Sequence, residues 1–307
     1  MRTIDLFAGC GGFRTGMESA GFSTVFANDI DKRSQRTYEV NTPNIEFECK
    51  SLTDIDPNKL PEFDCLTGGF PCQPFSVSGK GLGFEDTRGT LFFNISEILS
   101  VRRPKMFLLE NVKQLYHHDS GRTFKTILRV LQEELGYNVH YKILNTLDYG
   151  LPQNRQRVFI VGFDKDTEFN FPEPVNYRMS VKELLDSSVD EKYYYNPDHK
   201  HYKLISAGVT DPDKVYQWRW SYVRENKKGV CPTLLASYMQ PTLIKQGNRI
   251  RGITPREGLR LQGFPESFEF PEEFTDRDKF HQIGNSVSVP VISKIAEQML
   301  QAYGRNK

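Results

Sequence analysis

The sequence predicts an α/β chain: a mostly parallel sheet with helices on both faces, joined to a smaller, irregular, mostly β region. Three observations carry this. From residue 1 to 163, short apolar runs alternate with segments of helical periodicity, the pattern of βαβ units. A glycine-rich turn joins the first apolar run to the first helical segment. Beyond Phe171 the pattern fades, with Pro172 and Pro174 marking a boundary before a Tyr- and Lys-rich stretch.

Taken in order, residues 4–7, 24–28, 65–67, 106–109 and 158–162 read as buried strands, because each is a brief apolar run bounded by turn residues. Between them, 13–20, 32–40, 90–101 and 124–135 space their apolar residues as helices do. Order returns at Thr254-Pro255-Arg256-Glu257, where a capping threonine precedes a proline at the first helical position. Residues 287–303 read as a strand or turn that leads into an amphipathic helix.

Composition narrows the function classes. No stretch approaches the ~20 apolar residues that span a membrane, and the first residues read as a strand rather than a signal peptide. The five cysteines (10, 49, 65, 72 and 231) are odd in number and irregularly spaced. That argues against a disulfide framework and against a zinc site, and for a reducing compartment. Total charge is +1, but residues 174–255 carry 13 Lys and Arg against 8 Asp and Glu. That is a net of +5, leaving −4 for the rest. The same stretch holds both tryptophans. Basic charge mixed with aromatics suits a nucleic-acid surface, for phosphates and bases respectively; an ordinary solvated face has the same composition.

The first turn, Ala8-Gly9-Cys10-Gly11-Gly12-Phe13, follows a strand and opens a helix. Glycines there let a ligand approach the backbone. About 20 residues on, Asp29 stands at the tip of the second strand, placed to bind ribose hydroxyls. The G-x-G-x-x-G pyrophosphate pattern is not met, since Gly9-Cys10-Gly11-Gly12 is followed by Phe13-Arg14. The spacing therefore favours a nucleoside cofactor without phosphates, such as S-adenosylmethionine, over NAD or FAD.

Gly69-Phe70-Pro71-Cys72-Gln73-Pro74 places one thiol in a proline-clamped turn after an apolar run. A free thiol titrates near ~8.5, so a reactive one needs an environment that lowers that value. Glu110-Asn111-Val112 ends the next strand, and residues at the carboxyl ends of parallel strands converge on one crevice. Gln153-Asn154-Arg155-Gln156-Arg157 precedes the strand at 158. On an extended segment its two arginines would share a face and grip a phosphate or a carbonyl; a charged start to the strand is the bland alternative.

These segments, in this order, resemble the bacterial DNA (cytosine-5) methyltransferases over nearly the whole chain. Asp5-Leu6-Phe7-Ala8-Gly9-Cys10-Gly11-Gly12 is similar to the cofactor motif, and Gly69 to Ser76 to the nucleophile motif. Glu110-Asn111-Val112 is similar to the acid motif and residues 153–157 to the arginine motif. Arg256-Glu257, Arg260 to Pro265 and Gly284-Asn285-Ser286-Val287 are similar to the motifs that close the family's chain.

The resemblance implies a Rossmann-like S-adenosylmethionine-dependent methyltransferase sheet. It implies a catalytic and cofactor-binding domain over 1–173 and 276–307, and a target-recognition domain over 174–275. Cys72 would be the nucleophile, Glu110 the acid, and Arg157 with Arg155 the grip on the base. Phe7, Gly9, Gly11, Gly12, Asp29, Ile30, Pro71, Leu91 and Asn285 would line the S-adenosylmethionine pocket. Gln73, Ser76, Ser78, Lys80, Arg219, Arg224 and Thr233 would touch double-stranded DNA, with Ser78 filling the space that the flipped cytosine leaves. The implied enzyme is a cytoplasmic monomer at the bacterial nucleoid, without metal or membrane partner, protecting DNA alongside a restriction endonuclease that acts separately. One departure is plain: where the family carries Gly-Asp-Ile, this chain has Lys50-Ser51-Leu52, with Asp54 following.

Overall fold

A computed structural model of the chain describes residues 1–71, 91–227, 229–237 and 241–305. It divides into two compact units. The first comprises Met1–Leu144, Gln156–Glu173 and Val291–Lys307; the second comprises Asn145–Arg155 and Pro174–Pro290.

The first unit is built on a seven-stranded sheet. Its elements are β1 (Arg2–Leu6), α1 (Gly12–Ser19), β2 (Ser23–Asn28), α2 (Lys32–Asn41), β3 (Glu46–Glu48), β4 (Cys65–Gly69), α3 (Leu91–Arg102), β5 (Met106–Val112), α4 (Arg122–Arg129), β6 (Asn138–Asn145) and β8 (Gln156–Phe163). Strand order is β3-β2-β1-β4-β5-β8-β6. Pairs among the first five strands are parallel, and β8 runs antiparallel to β5. The order reverses between β1 and β4, the switch point at which open α/β sheets leave a crevice.

Side-chain alternation along the strands serves two layers. Ile4, Leu6, Leu66, Phe107, Leu109, Val158 and Ile160 share one core with Phe92, Ile95, Ile98 and Leu99 of α3 and with Phe124 and Ile127 of α4. Helix α3 is apolar nearly all round because that core covers most of it. On the opposite face Asp5 accepts a 2.7 Å hydrogen bond from Tyr38 of α2. The helix expected over 124–135 is α-helical only to Arg129 and continues as a π-helical turn, Val130–Glu134.

The second unit carries β7 (Gln153–Asn154), β9 (Tyr194–Tyr195), α5 (Tyr202–Gly208), β10 (Val215–Trp218), β11 (Val223–Glu225), β12 (Cys231–Pro232), β13 (Thr242–Gln246), β14 (Arg249–Gly252), α6 (Pro255–Gln262) and α7 (Asp276–Asn285). A five-stranded antiparallel sheet has the order β11-β10-β13-β14-β9, and β7 pairs in parallel with β12. Ile205, Val209, Tyr216, Trp218, Leu243 and Ile250 form its core.

A fully buried ion pair sits beside that core, with Arg251 Nη1 2.8 Å from Glu257 Oε2 and Nη2 2.6 Å from Oε1. Glu257 also accepts from the backbone N–H of Thr254 and of Asp186. The buried charges are thus paired and hydrogen-bonded, the condition under which such a pair is tolerated. The final helix, α8 (Val289–Arg305), begins at the end of this unit and runs on through the first.

The segments 145–155 and 276–290, expected with the first domain, belong to the second unit. Hydrogen bonds made by Arg155, described below, account for this. Among the described residues, no helix is long and apolar enough to cross a membrane. No group of three or more His, Cys, Asp or Glu is placed to hold a metal ion among them.

Candidate active site

Strand β1 ends in a turn whose backbone is unusual from its first residue. Phe7 has φ +54°, and Gly9 and Gly11 have φ +53° and +85°. Left-handed backbone costs a side-chain-bearing residue roughly 1–2 kcal/mol, and such outliers cluster at functional sites. Gly11 caps α1, which opens with buried Gly12. A Cβ at Gly11 would lie 3.2 Å from Arg14 Nε and 3.3 Å from the Tyr38 ring, tight contacts that add to the strain its positive φ would impose on any other residue. Asp29, just past β2, fastens the turn: its Oδ2 accepts from Gly9 N at 2.8 Å, and its Oδ1 from Asp31 N at 2.9 Å. Burial holds its carboxyl above the usual range. Next to it Ile30 is 72% exposed, an apolar side chain open to a ligand.

Beneath the turn, Asp5 is fully buried. Besides Tyr38, it accepts from Thr67 Oγ1 at 3.3 Å and from the backbone N–H of Arg14 in the first turn of α1. Burial pushes its carboxyl up to about 7, against the lowering effect of those donors.

On the other side of the switch point, β4 ends in Gly68-Gly69. A Cβ at Gly68 would sit 3.3 Å from Leu6 O and 3.8 Å from the Phe7 ring. One at Gly69 would sit 3.2 Å from Glu110 Oε2 and 3.5 Å from the Phe13 ring. The two glycines therefore let Phe7, Phe13 and Glu110 close on the end of β4. Glu110 pairs with Phe159, and Val112 with Arg157, so Glu110 and Arg157 are diagonal neighbours on one face. Arg157 Nε lies 2.9 Å from Glu110 Oε1, and both side chains are largely buried. Asn111 turns inward and donates from Nδ2 to Phe70 O at 2.8 Å, fixing the chain just before exposed Pro71. Cys72, Gln73, Ser76, Ser78 and Lys80 lie outside the described residues. Leu91, half-buried, opens α3.

In the second unit the backbone departs from the extended reading of 153–157. Arg155 N donates to Gln153 O at 3.0 Å, a bond across a single residue that closes a γ-turn between β7 and β8. Arg155 is buried, and its guanidinium donates to the carbonyls of Leu234, Gly284 and Ser286. It clamps backbone, which is why 145–155 and 276–290 share a unit. Gln153, fully buried, adds bonds to Leu261 O and from Leu234 N. Thr233 donates to Asn154 O at 2.6 Å. Asn285 ends α7 exposed, 3.5 Å from His281 Nε2. Arg224 is exposed on β11, and Arg219 is half-buried at the preceding turn. Ser51 caps a short 3₁₀ turn over Leu52–Asp54, whose Asp54 is exposed.

Gly68 was not singled out from sequence, and Asp5 and Gly69 entered only as the first residues of the cofactor and nucleophile motifs. The pair of glycines ending an apolar run was the available signal for a close approach; Asp5 stood inside the run 4–7 read as a buried strand, with no sign of the donors that would meet it.

Such a sheet, with its glycine turn and a carboxylate–arginine pair at the strand ends, is that of an α/β methyltransferase. The family description C-5 cytosine-specific DNA methylase matches residues 1–301. The type II methyltransferase M.NgoBI of Neisseria gonorrhoeae is 45% identical over 318 residues, covering 100% of this chain and 96% of that protein. M.HaeII of Haemophilus aegyptius is 45% identical over 309 residues, covering 98% and 93%. Among solved structures, Dnmt2 of S. pombe superposes with a TM-score of 0.78 at 20% identity, covering 98% of each chain. A putative DNA modification methyltransferase of an E. coli prophage gives 0.75 at 24%, covering 99% of each. These last two are likenesses of fold. The chain belongs to the C-5 cytosine-specific DNA methylase family, and its activity is that of a DNA (cytosine-5) methyltransferase.

Proposed function

We propose that the protein methylates cytosine within a specific sequence of duplex DNA, with Cys72 as nucleophile and S-adenosylmethionine as methyl donor. The observation that carries this reading is the Glu110–Arg157 pair, a carboxylate and a guanidinium joined at 2.9 Å at the carboxyl end of β5. Together they offer what a flipped cytosine ring requires: a carboxyl for N3 and the exocyclic amine, and a cation for O2. A stacked base cannot reach such a site, so the target is flipped out.

Cys72 thiolate adds to C6, and the electron pair of the C5–C6 double bond becomes available at C5. Glu110 and Arg157 stabilise the charge that spreads over N3 and O2. S-adenosylmethionine, when bound, supplies an electrophilic methyl group to C5. Loss of the C5 proton then restores the double bond and expels the Cys72 sulfur. Asn111, through Phe70 O, steadies the chain that leads to Cys72.

The turn residues suit an uncharged adenosyl group. Phe7 offers a ring, exposed Ile30 an apolar face, and the Asp29 carboxylate keeps lone pairs for ribose hydroxyls beyond the two it gives to backbone. Gly9, Gly11, Gly12, Pro71, Leu91 and Asn285 complete the proposed pocket. Arg155 acts in this reading as a positioning residue. Gln73, Ser76, Ser78, Lys80, Arg219, Arg224 and Thr233 are the proposed DNA contacts. The type II names of the relatives support a modification enzyme; its action as a monomer on bacterial DNA, beside a separate restriction endonuclease, is part of the proposal.

The test is to offer labelled S-adenosylmethionine with duplex DNA and with tRNA, and to map the methylated site by bisulfite sequencing. Label is expected in duplex DNA at cytosine C5, and Cys72→Ser is expected to lose transfer while binding DNA. Label confined to tRNA, or full activity in Cys72→Ser, would overturn the reading.

A further inference from the structure

The hairpin joining β10 to β11 has an unexpected residue at its tip. Trp218 pairs with Val223, and Arg219 N donates to Tyr222 O at 2.9 Å, so the turn proper is Trp220-Ser221. Ser221 N donates to Arg219 O at 2.7 Å, a bond across Trp220 alone, and tight hairpin turns favour positive φ at this position, where glycine, asparagine and aspartate are usual. Here that position has φ +61° and carries tryptophan. Packing does not demand it: Trp220 is 50% exposed and Tyr222, two residues on, is 55% exposed.

The indole rests beside a core ring. Its ring centroid lies 5.6 Å from that of Trp218, which is buried in the sheet core and donates from Nε1 to Trp220 O at 3.3 Å. Arg219 precedes it, and exposed Arg224 stands on the edge strand β11. The neighbouring acid, Glu225, is neutralised by Lys214 at 2.6 Å.

From this we infer that Trp220, with Tyr222, is an aromatic wedge that stacks into a base step of duplex DNA while Arg219 and Arg224 hold the flanking phosphates. The inference rests on the reading of residues 174–255 as the DNA-contacting region. Exposed apolar side chains of this kind insert between base pairs, and an aromatic ring stacks on any base. The partner is duplex DNA because the surround is basic and the chain is a DNA methylase. The wedge adds to that region a contact that reads no hydrogen-bond pattern and unstacks the duplex.

Turn chemistry and function then pull in opposite directions at one residue, and this makes the test. Trp220→Gly supplies the residue that the turn prefers, so Tm is expected to hold or rise by a few degrees. Binding to a labelled duplex that the enzyme methylates is expected to weaken about tenfold, the scale of one lost stacking contact. The dependence of log K on log salt should keep its slope, because no charge is removed; Arg224→Ala should reduce that slope by about 1. In Trp218→Phe, where Trp220 is the sole tryptophan, emission should be quenched and shielded from acrylamide on saturation with the duplex. Unaltered affinity in Trp220→Gly, or a Trp220 that stays open to acrylamide in the saturated complex, would overturn the wedge while leaving the region's DNA role intact. Binding that ignores salt in every variant would overturn that role and the wedge with it.

Discussion

Arg157 Nε stands 2.9 Å from Glu110 Oε1, across the antiparallel step between β8 and β5. The register fixes this pair: Val112 opposes Arg157, and Glu110 lies two residues earlier on the same face. The sheet itself, rather than a loop, brings a carboxylate and a cation to the end of the central strands.

Glu110→Gln and Arg157→Ala should each lower kcat by about 100-fold or more, the range for a positioned acid or a charge-stabilising donor. Binding of S-adenosylmethionine should change little. Arg157→Lys should not rescue, because the planar fork is what meets Glu110 and a carbonyl together. Steady-state kinetics alongside calorimetric titration of the methyl donor would check this. Parallel losses in both quantities would contradict it.

Arg155 should behave differently from Arg157. Arg155→Ala leaves three buried carbonyls without their donor, each worth about 1–3 kcal/mol. Tm should drop by several degrees, more than in Arg157→Ala, while any folded fraction keeps its chemistry. Thermal scans of the two variants decide the order; a larger drop in Arg157→Ala would refute the clamp.

Asp5 predicts a pH dependence of stability. Its carboxyl is raised by burial from 3.8 to about 7 in the folded chain, so folding favours the protonated form. That contribution is complete below about pH 4 and is lost as pH rises through about 7, a loss on the order of 4 kcal/mol. Asp5→Asn should flatten this slope, so that Tm falls less between mildly acidic and mildly alkaline buffer than in the parent chain. An identical slope in both proteins would contradict the assignment.

Much of the sheet was legible because its inner strands are brief, mostly apolar runs of the kind that a doubly covered sheet buries. Two strands were not. β3 is only Glu-Phe-Glu at one edge, and β6 at the other alternates polar and apolar residues instead of forming a continuous apolar run. The second unit hid its sheet for a different reason: strands of two to five residues pair across long separations, as Tyr195 does with Ile250. In the site, Glu110, Asp29 and the glycine turn could be read from their places at strand ends. Arg155 could not, because the carbonyls it meets, those of Leu234, Gly284 and Ser286, lie far along the chain and a backbone acceptor leaves no mark in the sequence. Asp5 lay inside a run read as a buried strand, but its donors, Tyr38 and Thr67, come from distant parts of the sequence and could not be read with it.

The central claim is covalent attack on cytosine C6 by Cys72, and duplex DNA carrying 5-fluorocytosine at the methylated position tests it most directly. Fluorine at C5 cannot leave as a proton does, so the enzyme should stay bound through a Sγ–C6 bond that survives denaturing electrophoresis, and Cys72→Ser should give no such band. No adduct with the parent enzyme, in conditions where ordinary DNA is methylated, would contradict the account.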